Sequence, residues 1–487
     1  MVAPPLRLYN TRTRREGEFA PLSEGAVRVY SCGPTVYSHQ HIGNMKPYVF
    51  SDTLRRVLRW KGYAVRQVIN ITDVGHLTSD EDDGEDKMEV GARREGRTIW
   101  EIAEHYTRLF QNDLEALRIF SPDVWCKATD HIEEMIAFAA VLEEKGYCYR
   151  LPTGLYFDTA RLDGYGQLAR LNVKGQREGA RVDPVEGRRN PSDFAVWRAT
   201  PPGEQRQMEW DSRWGRGAPG WHLECSVMSM KYLGDHFDIH TGGADHIPVH
   251  HTNEIAQSEA YLEDGQPWVP WWLHEEFVNL KGAKIAKSAG GGPVVGDLVE
   301  RGSHPLVYRF LLLQAHYRTQ IEFDWDALEG AKTGLRRLLD RFSRAGRAGP
   351  TLTTYEDAMA ALSSDAGRRY LADFDAALSD DLNTARALTA VTGASRDEAL
   401  PASDLAALAR AFDAVLAIGL ADLKPEDLDL RRGGTDVDAE TVERLVAERD
   451  AARASRDYAR ADELRTRLRG LGVELEDSPS GTTWRWA

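Results

Sequence analysis

A loop between an apolar strand and a helix is the feature that most constrains the fold of this chain. The loop Cys32–Asn44 follows a β-branched run at 27–30 and precedes the segment Pro47–Lys61, whose apolar residues recur at helical spacing. Gly62 is placed to end that helix, and Val65–Ile71 has the composition of a second strand. This order predicts a βαβ unit with two parallel strands, and therefore an α/β fold.

The carboxyl edge of such a sheet is where a ligand is expected. In open parallel sheets, ligands bind outside the carboxyl ends of the strands, where backbone N–H groups and a helix N-terminus favour anions. The loop 32–44 and the segment Asn70–His76, which follows the second strand, would both lie at this edge. We therefore expect a substrate that carries phosphate.

Length and composition predict a protein of several domains without a membrane segment. A chain of 487 residues is too long for one ordinary core. No stretch approaches about 18 uninterrupted apolar residues, and the first residues lack the apolar region of a signal peptide, so a cytoplasmic protein is expected. Two of the four cysteines, Cys126 and Cys148, match no ligand pattern, and so few cysteines favour thiols or metal ligands over a disulfide framework.

The net charge of −15 argues against indiscriminate binding of polyanions. A nucleic-acid partner would need a local positive surface, for which the Arg-rich stretches 334–347 and 443–469 are candidates. The acidic segment 79–86 has no spacing of a calcium loop and is predicted to be a solvated loop.

The spacing of four side chains is compatible with a metal site. His250 and Glu254 are four residues apart in a segment with helical character, so both would project from one face. Cys32 and Cys225 lie on separate loops, each at a predicted strand end or helix start near the carboxyl edge of the sheet. Thiolates, an imidazole and a carboxylate favour Zn²⁺ over Mg²⁺. Spacing alone leaves an alternative open, in which the cysteines are buried structural thiols and His250 is a hydrogen-bonded core residue.

Several motifs together resemble the class I aminoacyl-tRNA synthetases, and within them the cysteinyl-tRNA synthetase family. His41-Ile-Gly-Asn44 is similar to the HIGH motif with Asn in the last place, and Lys284-Ile-Ala-Lys-Ser288 is similar to KMSKS. The surrounding motifs are of the cysteine type: Cys32-Gly-Pro-Thr-Val-Tyr37, Gly220-Trp-His-Leu-Glu-Cys225, the segment 238–245 and the segment 250–254. The resemblance covers nearly the whole chain.

This resemblance implies a Rossmann-like parallel-sheet catalytic domain with a connecting insertion, followed by a helical domain and a small α+β C-terminal domain. The implied boundaries are 1–145 and 221–290 for the two catalytic halves, 146–220 for the insertion, 291–348 for the KMSKS-loop and stem-contact region, 349–432 for the helical domain and 433–487 for the anticodon-binding domain.

The implied activity is ATP-dependent ligation of L-cysteine to tRNA(Cys) through a cysteinyl-adenylate, by a monomer that uses Mg²⁺ with ATP and selects cysteine as a zinc-bound thiolate. The resemblance assigns catalysis to His41, Asn44, Lys284 and Lys287; ATP binding to His41, Asn44, Gly242, Gly243, Asp245 and Lys287; cysteine binding to Thr72 and Trp221; and one Zn²⁺ to Cys32, Cys225, His250 and Glu254. Without the resemblance, Trp221 could equally be a core tryptophan and Thr72 a strand-end threonine.

Two other functions remain open. A cysteine ligase of the mycothiol pathway would resemble the catalytic part and join cysteinyl adenylate to an amino sugar, but it would not need the terminal domain. A non-catalytic tRNA-binding paralogue is conceivable because the two signature motifs read HIGN and KIAKS here. The retained lysines and the complete ligand set disfavour the paralogue.

Overall fold

The structure is a computed structural model. It describes residues 3–74, 87–171, 187–280, 292–346, 349–350, 352–430, 439–455, 457–470, 473–478 and 481–486. Three features predicted from the sequence lie outside these residues: the acidic segment 79–86, Lys284 and Lys287.

The β-strands of the described residues are Arg7–Asn10 (β1), Arg15–Glu18 (β2), Ala26–Ser31 (β3), Ala64–Ile71 (β4), Val124–Lys127 (β5), Cys148–Leu151 (β6), Gly154–Phe157 (β7), Phe194–Ala199 (β8), Gly217–Pro219 (β9), Ile239–Gly243 (β10), Trp271–Glu275 (β11), Val278–Leu280 (β12), Ile321–Phe323 (β13), Val473–Ser478 (β14) and Gly481–Trp486 (β15).

The α-helices are Lys46–Trp60 (α1), Lys87–Glu95 (α2), Ile99–Ala116 (α3), Ile132–Glu144 (α4), Trp221–Leu233 (α5), His250–Leu262 (α6), Val295–Glu300 (α7), Pro305–Leu313 (α8), Trp325–Ser343 (α9), Tyr355–Ala360 (α10), Asp365–Leu378 (α11), Thr384–Arg396 (α12), Ala402–Leu416 (α13), Ala439–Ala454 (α14) and Tyr458–Gly470 (α15).

A five-stranded parallel sheet forms the centre of the fold, in the order β11-β10-β3-β4-β5. The predicted βαβ unit is β3-α1-β4, and α1 begins directly after a 3₁₀ turn over Ile42–Met45, with Pro47 in its first turn, where proline is tolerated. The apolar stripe of α1, including Leu54, Val57 and Leu58, is fully buried in the core. The predicted α/β fold with a parallel sheet is therefore confirmed.

The chain between α4 and α5 forms a second, antiparallel sheet in the order β6-β7-β8-β9. All four residues of β7 are buried, and Phe157 packs in the same apolar cluster as Trp197 of β8. The sequence of 146–220 is rich in glycine, arginine and turn residues, which indicates an insertion but predicts none of these strands.

After β12 the chain is mainly helical, as predicted, with two differences. β13 pairs in parallel with β12. The sequence predicts one helix over 355–377, but the structure divides it into α10 and α11. Ser364 caps α11 by accepting a hydrogen bond from the Gly367 N–H, and Asp404 accepts the N–H groups of Ser363 and Ser364.

The last described segment has its own small core. Helices α14 and α15 pack with the antiparallel hairpin β14–β15 through a separate apolar cluster that contains Leu445, Leu464 and Val473. The sequence predicts two helices here, followed by a hairpin between 472–476 and 482–486, and the structure has these elements. None of the described helices combines the length and the hydrophobicity needed to cross a membrane.

Candidate active site

Four strands of the central sheet end at one edge, and each end carries a residue of interest. Cys32 follows β3, Thr72 follows β4, Gly243 ends β10 and Glu275 ends β11. Gly33 brings the first two ends together, because a Cβ atom there would lie 1.5 Å from the carbonyl oxygen of Asn70. The carboxyl edge is therefore built by close backbone approach.

The four predicted metal ligands converge at this edge. One ligand atom from each of Cys32, Cys225, His250 and Glu254 lies within 4.8 Å of the others, and all four residues are buried. His250 and Glu254 share one face of α6, and Cys225 lies in the second turn of α5. Side chains that are up to 222 positions apart in sequence, from 32 to 254, thus face one point.

The donor atoms fit a metal ion better than a hydrogen-bond network. Glu254 Oε1 forms an ion pair with His250 Nε2 at 2.8 Å, but the contact lacks the angles of a hydrogen bond, so this buried oxygen has no well-aligned donor among the described residues. A buried carboxylate oxygen without a hydrogen bond is unusual unless an ion or water completes it. Two thiols, an imidazole and a carboxylate form a donor set typical of Zn²⁺.

The pKa values of the four groups differ because they share charge. Burial raises the pKa of a thiol, and the pKa of Cys32 lies well above its usual value, whereas the Cys32 thiol and the positive charge of His250 hold the pKa of Cys225 at about 6. Burial would lower the pKa of His250, but Glu254 and Cys225 raise it to about 10, and His250 in turn lowers the pKa of Glu254 to about 2 against the effect of burial. The site holds two negative groups that require a cation between them.

A cluster of buried imidazoles surrounds the four residues, and sequence reasoning did not single it out. His240 Nε2 lies 2.9 Å from Glu254 Oε2, and His251 Nε2 lies 3.2 Å from Cys32 Sγ. His222 Nδ1 lies 3.0 Å from His250 Nδ1, and His274 Nε2 lies 2.7 Å from His251 Nδ1. The available signal was the histidine content of three of the motifs of the cysteine type, which contain His222, His240, and His250 with His251.

Two of these imidazoles complete a second possible ligand set. Donor atoms of Cys32, His240, His251 and Glu254 also lie within 4.8 Å of one another. The two sets share Cys32 and Glu254, so they describe one centre with alternative partners.

Trp221 and Thr72 flank this centre. The indole of Trp221 stacks on the His250 ring with centroids 4.0 Å apart. Thr72 is buried, donates a hydrogen bond to Glu224 Oε2 at 3.1 Å and accepts one from Asn70 Nδ2 at 3.1 Å. Neither residue lies in an unrelated part of the core.

The HIGN segment and the two glycines of β10 lie at the same edge. His41 precedes the 3₁₀ turn that contains Asn44 and leads into α1. The Ile42 N–H donates to the Pro293 carbonyl at 2.8 Å, so the described chain just beyond the lysine motif contacts the HIGN segment. Burial lowers the pKa of His41, which favours a neutral imidazole that donates a hydrogen bond.

Gly242 and Gly243 are places where a side chain would fill the site. A Cβ atom on Gly242 would lie 2.6 Å from His251 and 2.7 Å from His246, and one on Gly243 would lie 2.2 Å from Asp245 Oδ1. Both glycines are buried and Asp245 is exposed. A flat ligand could therefore approach this backbone closely.

Known proteins share this architecture. Residues 18–333 match the family described as tRNA synthetases class I (C) catalytic domain, and residues 438–485 match the Cysteinyl-tRNA ligase anticodon binding domain. The structure of Mycobacterium tuberculosis methionyl-tRNA synthetase bound by methionyl-adenylate is similar in fold, with a TM-score of 0.54, 16% identity, and coverage of 81% of this chain and 90% of that chain. Fold and catalytic-domain match define a class I tRNA synthetase.

Relatives along the full length narrow the class to one family. The Cysteine--tRNA ligase of Novosphingobium aromaticivorans is 49% identical, with 99% of this chain and 97% of the relative covered. Cysteine--tRNA ligase 1 of Burkholderia lata is 48% identical, with 98% and 96% covered, and the Cysteine--tRNA ligase of Thermococcus gammatolerans is 38% identical, with 99% of both covered. The chain belongs to the cysteine–tRNA ligase family of enzymes, as its motifs predicted.

Proposed function

We propose that this protein ligates L-cysteine to tRNA(Cys) in two steps. Cysteine and ATP form a cysteinyl-adenylate with release of pyrophosphate, and the acyl group then passes to a hydroxyl of the 3′-terminal adenosine of the tRNA with release of AMP. The observation that carries this proposal is the convergence of Cys32, Cys225, His250 and Glu254 beside the strand ends that hold the HIGN segment and the β10 glycines. Soft ligands next to an anion-binding edge suit a thiol substrate that must meet ATP.

Cys32, Cys225, His250 and Glu254 would hold Zn²⁺. His240 would orient Glu254 from outside, because its Nε2 already lies 2.9 Å from Glu254 Oε2. When bound, Zn²⁺ supplies a soft Lewis acid that takes a thiol as its thiolate. Serine has a similar shape, but its hydroxyl group is a poor ligand for Zn²⁺. Discrimination of cysteine from serine by about 10⁴-fold or more is therefore expected from binding, and no editing site is needed.

Trp221 and Thr72 would bind the rest of the amino acid. Trp221 is only partly buried, and its ring stacks on His250, so it can wall a small pocket next to the ligand set. The Thr72 hydroxyl is fixed by Asn70 and Glu224, which supports a role in orienting the polar end of cysteine. A small pocket with few polar groups would exclude larger amino acids.

Residues at the sheet edge would hold ATP. His41 and Asn44 would donate hydrogen bonds to the phosphates at the start of α1, where the helix N-terminus favours anions. Gly242 and Gly243 would let the nucleotide approach the backbone, with Asp245 at the ribose hydroxyls. Stabilisation of the pentavalent phosphorus would come from Lys284 and Lys287, and Mg²⁺ is expected to accompany ATP.

The terminal segments would bind the tRNA. We assign 291–348 to the KMSKS loop and acceptor-stem contacts, 349–432 to a helical domain and 433–487 to anticodon recognition. These segments follow the catalytic halves 1–145 and 221–290, which are separated by the insertion 146–220. The match of residues 438–485 to an anticodon-binding family supports the last assignment. Arginine and aromatic side chains can bind unstacked bases there.

Cysteine-dependent ATP–pyrophosphate exchange by the purified protein, followed by aminoacylation of tRNA, tests the proposal. We expect exchange with cysteine but not with serine, and cysteinyl-tRNA as the product. Exchange without aminoacylation would identify instead a cysteine ligase that acts on an amino sugar. A protein that binds tRNA but shows no exchange would be a non-catalytic paralogue.

A further inference from the structure

Glu275 is a buried carboxyl group that the proposed mechanism leaves without a task. It is the last residue of β11, is 2% exposed, and lies in register with Gly243 of the neighbouring parallel strand. Its Oε2 atom is buried and, among the described residues, has no hydrogen-bond partner. A buried carboxyl oxygen at the ligand-binding edge that has no partner among the described residues is placed to hydrogen-bond a ligand there.

The carboxyl groups of Glu275 and Asp245 face the same place. A Cβ atom built on Gly243 would lie 2.2 Å from Asp245 Oδ1 and 3.4 Å from Glu275 Oε1, so both oxygens lie on the side of Gly243 that a side chain would obstruct. Phosphate groups would be repelled there. Acidic side chains at the ends of parallel strands instead accept hydrogen bonds from ribose hydroxyls, and a ribose offers two neighbouring hydroxyls.

We propose that Glu275 is a specificity-determining residue for the nucleotide: its carboxyl group hydrogen-bonds one of the two ribose hydroxyls of ATP, beside Asp245. This inference rests on the proposed function, in which Gly242, Gly243 and Asp245 receive the nucleotide. It adds a second carboxyl group to that subsite and predicts that the enzyme distinguishes ATP from a nucleotide that lacks the hydroxyl.

The surrounding charges are compatible with this role. Burial, with a contribution from the charge on Asp245, raises the pKa of Glu275 to about 8, while Lys46 acts in the opposite direction and Glu276 adds to the rise. A protonated carboxyl group can both donate to and accept from a hydroxyl group, and it does not repel Asp245. Lys46 Nζ donates to the Thr319 carbonyl at 2.8 Å, which leaves Glu275 available to a ligand.

The adjacent carboxylate provides a matched control. Glu276 is only partly buried and accepts a hydrogen bond from Gln320 Nε2 at 3.2 Å. Glu276→Gln therefore makes the same chemical substitution one residue away, on a side chain whose partner is within the protein.

The test is cysteine-dependent ATP–pyrophosphate exchange with ATP, 2′-deoxy-ATP and 3′-deoxy-ATP, measured for the wild type, Glu275→Gln, Glu275→Ala and Glu276→Gln. For the wild type we expect kcat/KM to fall about 10- to 100-fold with at least one deoxy analogue, the scale for a hydrogen bond to a charged or buried partner. Glu275→Ala should lose a similar factor with ATP and little with that analogue, so its discrimination against one hydroxyl disappears. Glu275→Gln should keep part of the discrimination, and Glu276→Gln all of it.

Two results would overturn the inference. If the wild-type enzyme uses both deoxy analogues as efficiently as it uses ATP, the inference is wrong, and no variant is needed to show this. If Glu275→Ala lowers kcat/KM equally with ATP and with both analogues, Glu275 only supports the fold. A lower melting temperature of this variant would show the same. If the wild type catalyses no exchange with cysteine and ATP, the proposed function itself fails, which is a different outcome from exchange that is indifferent to Glu275.

Discussion

Charge balance governs the residues at the centre of the site. Cys225 and Glu254 are anionic at neutral pH, since their pKa values are about 6 and about 2, and both are buried. Burying a charge without a partner costs free energy, so the two anionic side chains need a cation close to them. His250, with a pKa of about 10, supplies one positive charge, and a divalent metal ion would supply more.

Glu275 should make stability depend on pH. Its carboxyl ionises near pH 4.5 in the unfolded chain but holds its proton to about pH 8 in the folded protein, so its contribution to stability is complete below pH 4.5 and is lost as the pH rises toward 8. Glu275→Gln stays neutral and should gain stability relative to the wild type by on the order of 1 kcal/mol per pH unit over that range. Urea unfolding from pH 4.5 to 8 measures this; a difference that is constant with pH would contradict it.

Lys287 should contribute to the chemical step. Lys287→Ala is expected to lower the rate of adenylation by about 10²-fold or more, the scale for losing one contact to the transition state. Lys281→Ala, in the same segment but outside the KIAKS motif, is the control and should have a much smaller effect. Pyrophosphate exchange measures both, and an unchanged rate for Lys287→Ala would remove that lysine from the catalytic set.

Individual elements depend on backbone approaches that only glycine allows. At Gly33 a Cβ atom would meet the carbonyl oxygen of Asn70 at 1.5 Å, so Gly33→Ala must force the ends of β3 and β4 apart. We expect a loss of stability on the order of 3 kcal/mol or more. Gly330→Ala is the control, because Gly330 is exposed on α9 with no atom within 4 Å, and alanine should stabilise that helix by about 0.5–1 kcal/mol. Thermal unfolding of both variants measures these changes. A Gly33→Ala variant that folds with full stability would contradict the close approach of Gly33 to Asn70.

Elements with a strong local pattern could be predicted from the sequence. Apolar residues at helical spacing predict a helix over 99–117, which is α3, and a capping box between Thr98 and Glu101 fixes its start. The βαβ unit and the terminal hairpin also follow local signals. The sheet β6–β9 was missed because its strands have only three to six residues, and because β7 pairs with β8 across a long sequence separation. Short strands leave little periodicity to detect.

The site divides in the same way. The pair His250 and Glu254 follows from helical spacing alone. That Cys32 and Cys225 meet them depends on the packing of α5 against both β3 and α6, which spacing could not give and the family resemblance supplied. The imidazole cluster and Glu275 are visible only once β10, β11 and α6 are placed together.

At the scale of the whole molecule, the C-terminal segment has an apolar cluster separate from those of the rest. Removal of residues 433–487 should therefore leave the remainder folded. We expect cysteine-dependent pyrophosphate exchange to stay within about twofold of the full chain, while kcat/KM for tRNA falls at least about 10-fold from loss of anticodon contacts, a scale typical of lost base contacts. Equal loss of both activities would contradict this division of roles.

The most direct test of the account is the absorption spectrum of the protein with Co²⁺ in place of its native metal, recorded with cysteine, serine and no amino acid. If Cys32, Cys225, His250 and Glu254 hold a metal that selects the substrate by its sulfur, cysteine should increase the thiolate-to-cobalt charge-transfer absorption, and serine should not. Glu254→Gln, which weakens the set without removing a thiol, should reduce this response. A spectrum that is the same with and without cysteine would contradict the central claim.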